Sequence, residues 1–382
     1  MPWYEVSKVK QRLELIKSYE SSDLTMSELC RRYGVSRKTG YKWLKRYQLS
    51  GEAGLIDHPK APKHCPHKSI NAIEEAVLSV RKEKRWGGRK IHRHLKDLGY
   101  KNVPAPSTIS DILRRHFLLT PEQRLSNNPV WHRFEHDSPN HLWQMDFKGH
   151  FAMENGRCHP LTIIDDHSRF SLCIKACERE TKVLVRQALI DVFRRYGLPK
   201  RINVDNGIPW AQPNLTTRYT ELSVWMIRLG IKVSYSSPRH PQTNGKLERF
   251  HRSFKQELLQ VTHFENLKHA QEAFDAWRYT YNYERPHEAL KLSTPQTRYQ
   301  PSHRAFPEII PEYEYDNYDM VRTTDCRGSV HYQGKRLLIG RAFSGKKVGI
   351  IKQDDGSIDV HYCHQCIGKF DKQCNRISGN RK

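Results

Sequence analysis

Asp146, Asp205 and Glu248 differ from the other acids of this chain in their surroundings. Asp146 lies within the apolar run His141-Leu142-Trp143-Gln144-Met145-Asp146-Phe147, where a buried carboxylate without a partner costs several kcal/mol, roughly the effective penalty for one buried ion. Asp205 ends the strand-like run Arg201-Ile202-Asn203-Val204 and is followed by Asn206-Gly207, a turn pair that exposes the preceding carboxylate at a sheet edge. Glu248 follows Asn244, a suitable N-cap, in a stretch where Leu247, Phe250, Phe254 and Leu258 recur at helical spacing. It sits one residue, about 100° of rotation, off that apolar stripe. Carboxylates gathered from strand ends are what two-metal phosphodiester cleavage requires, because they bridge Mg²⁺ ions that stabilise the attacking and leaving oxygens. Plainer readings stay open. Asp205 could be an ordinary turn aspartate, and Glu248 a surface acid pairing with Arg252 at i+4 for about 0.3 to 0.5 kcal/mol.

The elements that would position these acids follow from the pattern around them. Residues 141–147, 160–165 and 171–175 are strand-like runs in close succession. Residues 181–196 form a helix with Val185, Leu189, Val192 and Phe193 on one side, stopped by Gly197-Leu198-Pro199 before the strand that ends at Asp205. This order describes an α/β sheet domain, expected over residues 136–300. Asp165 and Asp166 form a rival acidic pair at a strand end. Further on, strand-like runs alternate with Gln333-Gly334 and Asp355-Gly356 turns, which predicts a small antiparallel β-barrel over residues 315–372. Lys335, Arg336, Arg341, Lys346 and Lys347 would give it a basic face. Cys363-His364-Gln365-Cys366, with His361 and Cys374 nearby, has the composition of half a zinc site. Strand alternation over residues 358–370 aims Cys363 and Cys366 at opposite faces, which argues against zinc.

Charge indicates the class of partner. The 382 residues carry 65 Lys and Arg against 41 Asp and Glu, a formal net charge of +24 that calls for a polyanion. The first 130 residues hold 26 Lys and Arg against 13 Asp and Glu, so the front of the chain should grip hardest. Residues 1–56 read as a helix-turn-helix domain. Thr25-Met26-Ser27-Glu28 has capping-box form, Gly34-Val35 makes the turn, and Ser36 caps a third helix running to about residue 47. That helix sets Arg37, Lys38, Lys42, Lys45 and Arg46 beside an apolar side of Tyr41, Trp43, Leu44 and Tyr47, as a helix lying in a major groove requires. Gly40 should weaken it. The alternative is a basic surface helix in a plain three-helix bundle.

A linker over residues 57–69, containing Pro59, Pro62 and Pro66, leads to a second trihelical unit over residues 70–120. There Arg81, Lys82, Lys84, Arg85, Arg89 and Lys90 cluster around Trp86-Gly87-Gly88. Two tandem units would read a longer DNA segment than one, while a solvated basic face is the plainer reading. No run approaches the ~18 apolar residues of a membrane helix. Nine scattered cysteines suit a reducing compartment. A cytoplasmic, nucleoid-associated chain with no membrane and no small-molecule substrate is therefore expected.

Three blocks together carry a resemblance: Asp146 in its Trp-Gln-Met-Asp strand, Asp205-Asn206-Gly207, and His240-Pro241-Gln242-Thr243-Asn244-Gly245-Lys246-Leu247-Glu248-Arg249-Phe250. They resemble the DDE transposases of bacterial insertion sequences, relatives of retroviral integrases. Tyr281-Asn282-Tyr283-Glu284-Arg285-Pro286-His287-Glu288-Ala289-Leu290 with Thr294-Pro295 extends the likeness to the end of the catalytic domain, and it covers about residues 1–300. The resemblance implies an α/β RNase H-like catalytic domain behind all-α helix-turn-helix modules, and similar small barrels close such chains. It assigns Asp146, Asp205 and Glu248 to Mg²⁺ or Mn²⁺, two ions, and gives Asp165 and Asp166 a structural role. It also implies cleavage and strand transfer of double-stranded DNA, at element ends and target, by a homo-oligomer assembled on DNA. His240, Gln242, Asn244 and Lys246 would touch that DNA beside Glu248. One departure is the 42 residues between Asp205 and Glu248, more than many members have, read as an insertion over residues 209–222. The alternative is a catalytically silent, transposase-derived DNA-binding regulator, against which the presence of all three acids counts.

Overall fold

The computed structural model describes residues 7–57, 69–119, 135–211, 218–236 and 245–377. The chain divides into two compact units, Met1–Lys68 and Ser69–Lys382. In the first, helices α1 (Lys8–Ser21), α2 (Met26–Arg32) and α3 (Arg37–Ser50) begin at the N-caps Ser7, Thr25 and Ser36, and Thr25 and Glu28 form the expected capping box. Leu15, Ile16, Met26, Cys30, Trp43, Leu44 and Leu55 make the core. Gly40 has a packing reason rather than a weakness: a Cβ there would lie 2.5 Å from Cys30 Sγ and 2.8 Å from Met26 Sδ, so only glycine lets α3 close on α2. Tyr41, expected on the apolar side, is instead exposed.

The second unit opens with α4 (Asn71–Lys84), α5 (Gly88–Asp97) and α6 (Pro106–Arg115) around Val77, Trp86, Ile91, Ile109 and Ile112. Part of the basic cluster expected to face DNA is engaged within the protein. Arg81 donates to the carbonyls of Arg85, Trp86 and Leu118, and Lys84 pairs with Glu284 at 2.9 Å. Lys90 lies 3.9 Å from Glu257, and burial, then the nearby Arg285, lowers its pKa to about 8.

The central sheet joins β1 (Leu142–Phe147), β2 (Phe151–Ala152), β3 (Arg157–Asp165), β4 (Ser171–Cys177), β5 (Arg201–Val204) and β6 (Lys232–Tyr235). Its order is β2-β3-β1-β5-β6, with β4 also on β3. β3 pairs antiparallel with β1 and β4, whereas β1, β5 and β6 run parallel. Parallel neighbours need crossovers, supplied by α7 (Lys182–Tyr196) before β5 and α8 (Glu221–Arg228) before β6. This is the RNase H-like arrangement of an integrase core. Alternation along β1 sends Trp143, Met145 and Phe147 into one core with Leu189, Phe193 and Ile227. The opposite face of the sheet, through Ile164 and Ile174, packs on α9 (Gly245–Phe254) and α10 (Leu267–Tyr279) by way of Leu247, Phe250, Phe254, Phe274 and Trp277.

Beyond residue 300 the expected closed barrel is not what the strands form. β7 (Met320–Thr323), β10 (Lys347–Lys352), β11 (Ile358–Tyr362) and β12 (Gln365–Phe370) make an open antiparallel sheet in the order β12-β11-β10-β7, and β8 (Ser329–Tyr332) with β9 (Lys335–Leu338) is a separate hairpin. Their apolar faces, including Val330, Leu337, Ile350 and Val360, merge with the core of the central sheet. Gln365 adds a polar clamp, accepting from Val233 N at 2.9 Å and donating to Val233 O at 3.0 Å. Among the described residues eight cysteines are free thiols, and no helix is long and apolar enough to cross a membrane.

Candidate active site

The register of the parallel strands brings two of the three acids together. Leu142 lies opposite Arg201 and Gln144 opposite Asn203, so two residues further along each chain come Asp146 and Asp205, the latter just past the end of β5. Asp146 is half-buried. Burial, and after it the charge of Asp205, raises its carboxyl pKa to about 7. Asp205 is exposed, and the loop behind it is anchored where Asn206 donates to the carbonyl of Ser236 at the end of β6. Two oxygen donors that repel one another in this way suit a hard divalent cation, which would relieve both the burial cost and the repulsion.

Asp146 and Gln144 point to the face of β1 opposite Met145, the face on which α9 docks. Leu247, Phe250 and Phe254 are buried as the apolar stripe predicts, and Glu248 projects, exposed, from the first turn. It makes no ion pair with Arg252 among the described residues. No set of three described residues that includes these acids has its ligand atoms within 4.8 Å of one another.

The rival acids hold the frame. Asp165 is fully buried and accepts from Asn140 N at 2.7 Å, Ser168 N at 2.8 Å and Ser168 Oγ at 2.6 Å, which satisfies it as a turn-forming carboxylate. Asp166 accepts from Gln144 Nε2 at 2.8 Å and forms a buried ion pair with Lys246. Gln144 in turn accepts from Leu247 N at 3.3 Å. The first turn of α9 is thus tied to the strand bearing Asp146, directly at Leu247 and by way of Asp166 at Lys246. Lys246, read from sequence as a DNA contact, has its ammonium bound to Asp166. His240, Gln242 and Asn244 lie outside the described residues. In the first unit Arg37, Lys38, Lys42 and Lys45 are exposed, while the Arg46 guanidinium lies 4.9 Å from the centroid of Trp43 and is partly buried.

Sequence reasoning missed Gln144, Thr162 and His251. Thr162 Oγ1 donates to the Asp146 carbonyl at 2.9 Å and therefore accepts from His251 Nε2 at 2.8 Å, which places a proton on Nε2. A polar residue two places before Asp146 in an apolar strand was the available signal for Gln144. His251 carried none. Burial lowers the His251 pKa to about 3, and lowers that of His287, whose Nε2 donates to Tyr281 O, well below its ordinary value. An unfolded chain protonates both near pH 6.5, while the folded chain leaves them neutral. Their contribution to stability is therefore complete above that pH and drains as the pH falls toward about 3, at roughly 1.4 kcal/mol per pH unit per histidine. Urea unfolding at pH 7.5 and pH 5 should show this acid loss, and His251→Gln should flatten it. Equal slopes in the two chains would refute the assignment.

A sheet with paired acids at its parallel strand ends, preceded by basic helical modules, defines the class: an integrase-core protein with helix-turn-helix domains. Models of the integrase core domain match residues 136–241 and 229–295. A helix-turn-helix domain matches residues 11–63, a homeodomain-like domain residues 39–113, and the C-terminal domain of IS481 family transposases residues 319–378. These domains and relatives support a DDE transposase of an insertion sequence. The chain is 32% identical over 169 residues to an uncharacterized 31.7 kDa protein of insertion element IS407 from Burkholderia multivorans, covering 44% of this chain and 58% of that one. It is 28% identical over 269 residues to an uncharacterized 39.2 kDa protein of insertion element IS476 from Xanthomonas euvesicatoria, covering 69% of this chain and 75% of that one. A solved simian T-cell lymphotropic virus intasome aligns over 80% of this chain and 99% of its own at 15% identity, with a TM-score of 0.38, too low to add to the assignment.

Proposed function

We propose that this chain binds the ends of its element as double-stranded DNA, cleaves a strand there, and joins the freed 3′-hydroxyl to target DNA. The observation that carries the reading is the β1/β5 register, which sets Asp146 beside Asp205 on the sheet face covered by the helix of Glu248. Asp146, Asp205 and Glu248 would hold two Mg²⁺ or Mn²⁺ ions, which when bound activate the attacking oxygen and stabilise the leaving one. The protein's own part is placement. Gln144 and the Asp166–Lys246 pair hold the start of α9, and with it Glu248, against the sheet. Asp146, pushed up by burial, binds an ion in its deprotonated form, and no covalent protein intermediate is needed.

Residues 1–56 and 70–120, joined by the linker at residues 57–69, serve as two DNA-reading modules ahead of the catalytic domain at residues 136–300. Arg37, Lys38, Lys42 and Lys45 reach phosphates or base edges from α3, with Arg46 behind them, while Lys246 holds Asp166 and His240, Gln242 and Asn244 would be the DNA contacts that precede Glu248 in the sequence. Two ends must be cut and joined together, so at least two protomers assemble on DNA, in the nucleoid-bearing cytoplasm of the host. The test is a labelled element-end duplex incubated with the full chain and Mg²⁺. Wild-type protein should shift and nick it, whereas Glu248→Gln should shift it and not nick. Binding without cleavage by the wild type would establish the regulator instead, and nicking by Glu248→Gln would remove that residue from the site.

A further inference from the structure

The β11–β12 hairpin carries a cluster of ligand-type side chains that DNA chemistry does not use. Asp359 and His361 alternate onto one face of β11. Asp359 lies opposite Lys369, and regular pairing would then set Ile367 opposite His361. A bulge between Val360 and His361 shifts the register so that Cys366 faces His361 instead, and Ile367 turns into the core. The carboxylate, the imidazole and the thiol are left with their ligand atoms within 4.8 Å of one another, the one such set of three among the described residues.

The carboxylate is only half satisfied. Asp359 is 7% exposed. Its Oδ2 accepts from Lys369 Nζ at 3.1 Å and Gln353 Nε2 at 3.3 Å, while its Oδ1 is buried with no hydrogen-bond partner. Cys366 Sγ makes only a weak 3.6 Å contact with the Gly368 carbonyl, and the His361 ring rests against Tyr318 at 5.6 Å between centroids. A charged oxygen buried without a donor calls for a cation.

We propose that Asp359, His361 and Cys366 form a binding site for a zinc-class divalent cation, with water as its fourth ligand. A sulfur, nitrogen and oxygen set suits tetrahedral Zn²⁺, whereas Mg²⁺ and Ca²⁺ ask for oxygen alone, so this site differs in kind from the acids at Asp146 and Asp205. Binding converts the thiol to a metal thiolate, and its proton leaves to solvent. The Lys369 side chain is 60% exposed, so its ammonium swings into water as the cation takes the carboxylate. Cys366 directly follows Gln365, whose side chain clamps Val233 of β6. The bound ion therefore stiffens the strand that fastens the C-terminal sheet to the catalytic sheet.

The test is a Co²⁺ titration of the full chain after chelation. A thiolate-to-cobalt charge-transfer band should grow in the near ultraviolet, saturate at a single equivalent and vanish when Zn²⁺ is added. Asp205→Asn should keep the band, Cys366→Ser should lose it, and His361→Gln should weaken Co²⁺ binding by at least about tenfold. Should Cys366→Ser fail to fold, Asp359→Asn and His361→Gln decide by the same loss of affinity. No band at saturating Co²⁺, or a band that persists in folded Cys366→Ser, overturns the proposal.

Discussion

Asp146→Asn should reduce strand cleavage by about 10³-fold or more, on the scale of losing one strong electrostatic stabiliser, while element-end DNA is still shifted. The same substitution should raise the melting temperature of the metal-free protein. In the folded chain the Asp146 carboxyl is pushed up to about 7 by burial and then by Asp205, so above that pH the fold carries a charge it would rather lose. Asparagine removes the charge and keeps the shape, for a gain on the order of 1 kcal/mol once its partial exposure is allowed for. Activity and stability therefore move in opposite directions, which a misfolded variant cannot imitate. Differential scanning calorimetry beside a nicking assay reads both. A fall in melting temperature, or retained nicking, would count against Asp146 as a site tuned for a cation.

Glu257→Ala should be the most destabilising single change outside the apolar core, by about 3 to 5 kcal/mol. Arg285 donates to Glu257 through Nε at 3.0 Å and Nη2 at 2.8 Å, and to Ser253 Oγ at 2.9 Å. The two side chains are 7% and 11% exposed. Truncating the acid leaves the guanidinium buried without its partner. Removing both charges, as in Glu257→Leu with Arg285→Leu, should recover most of the loss, because the penalty lies in the orphaned ion rather than in the absent attraction. Chemical denaturation of the two variants checks this, and equal destabilisation would show that packing, not charge, dominates there.

Local chemistry made much of this architecture legible. The Thr25/Glu28 capping box, the Ser36 cap and the strand-like apolar run of β1 each depend on a few neighbouring residues, and each forms as read. What the linear pattern could not show are partnerships across long stretches of chain. Lys246 looked like a DNA contact because its partner, Asp166, is 80 residues away. Gln144 looked like an incidental polar residue because Leu247 is 103 residues away. Gly40 looked like a flaw until the sulfurs of Cys30 and Met26 were seen against it. In the C-terminal region Cys363 and Cys366 do face opposite ways, but the bulge that sets Cys366 beside His361 changes parity without changing composition. The closed barrel is likewise missing at the level of pairing: the strands are present, but the sheet is open and β8 and β9 pair as strands only with each other.

The ties among Lys84, Lys90, Glu257 and Glu284 have a consequence for measurement of length. They bind α4 and α5 to the helical continuations of α9 and α10, on the sheet face to which Asp146 points, so this module does not hang from the sheet on a tether. In a chain acting as proposed, the interval between the base pairs gripped by α4 to α6 and the phosphate opposite Asp146 is a fixed dimension of the protein, as in a caliper. Inserting base pairs between those two points of an element end should then stop cutting rather than move the cut.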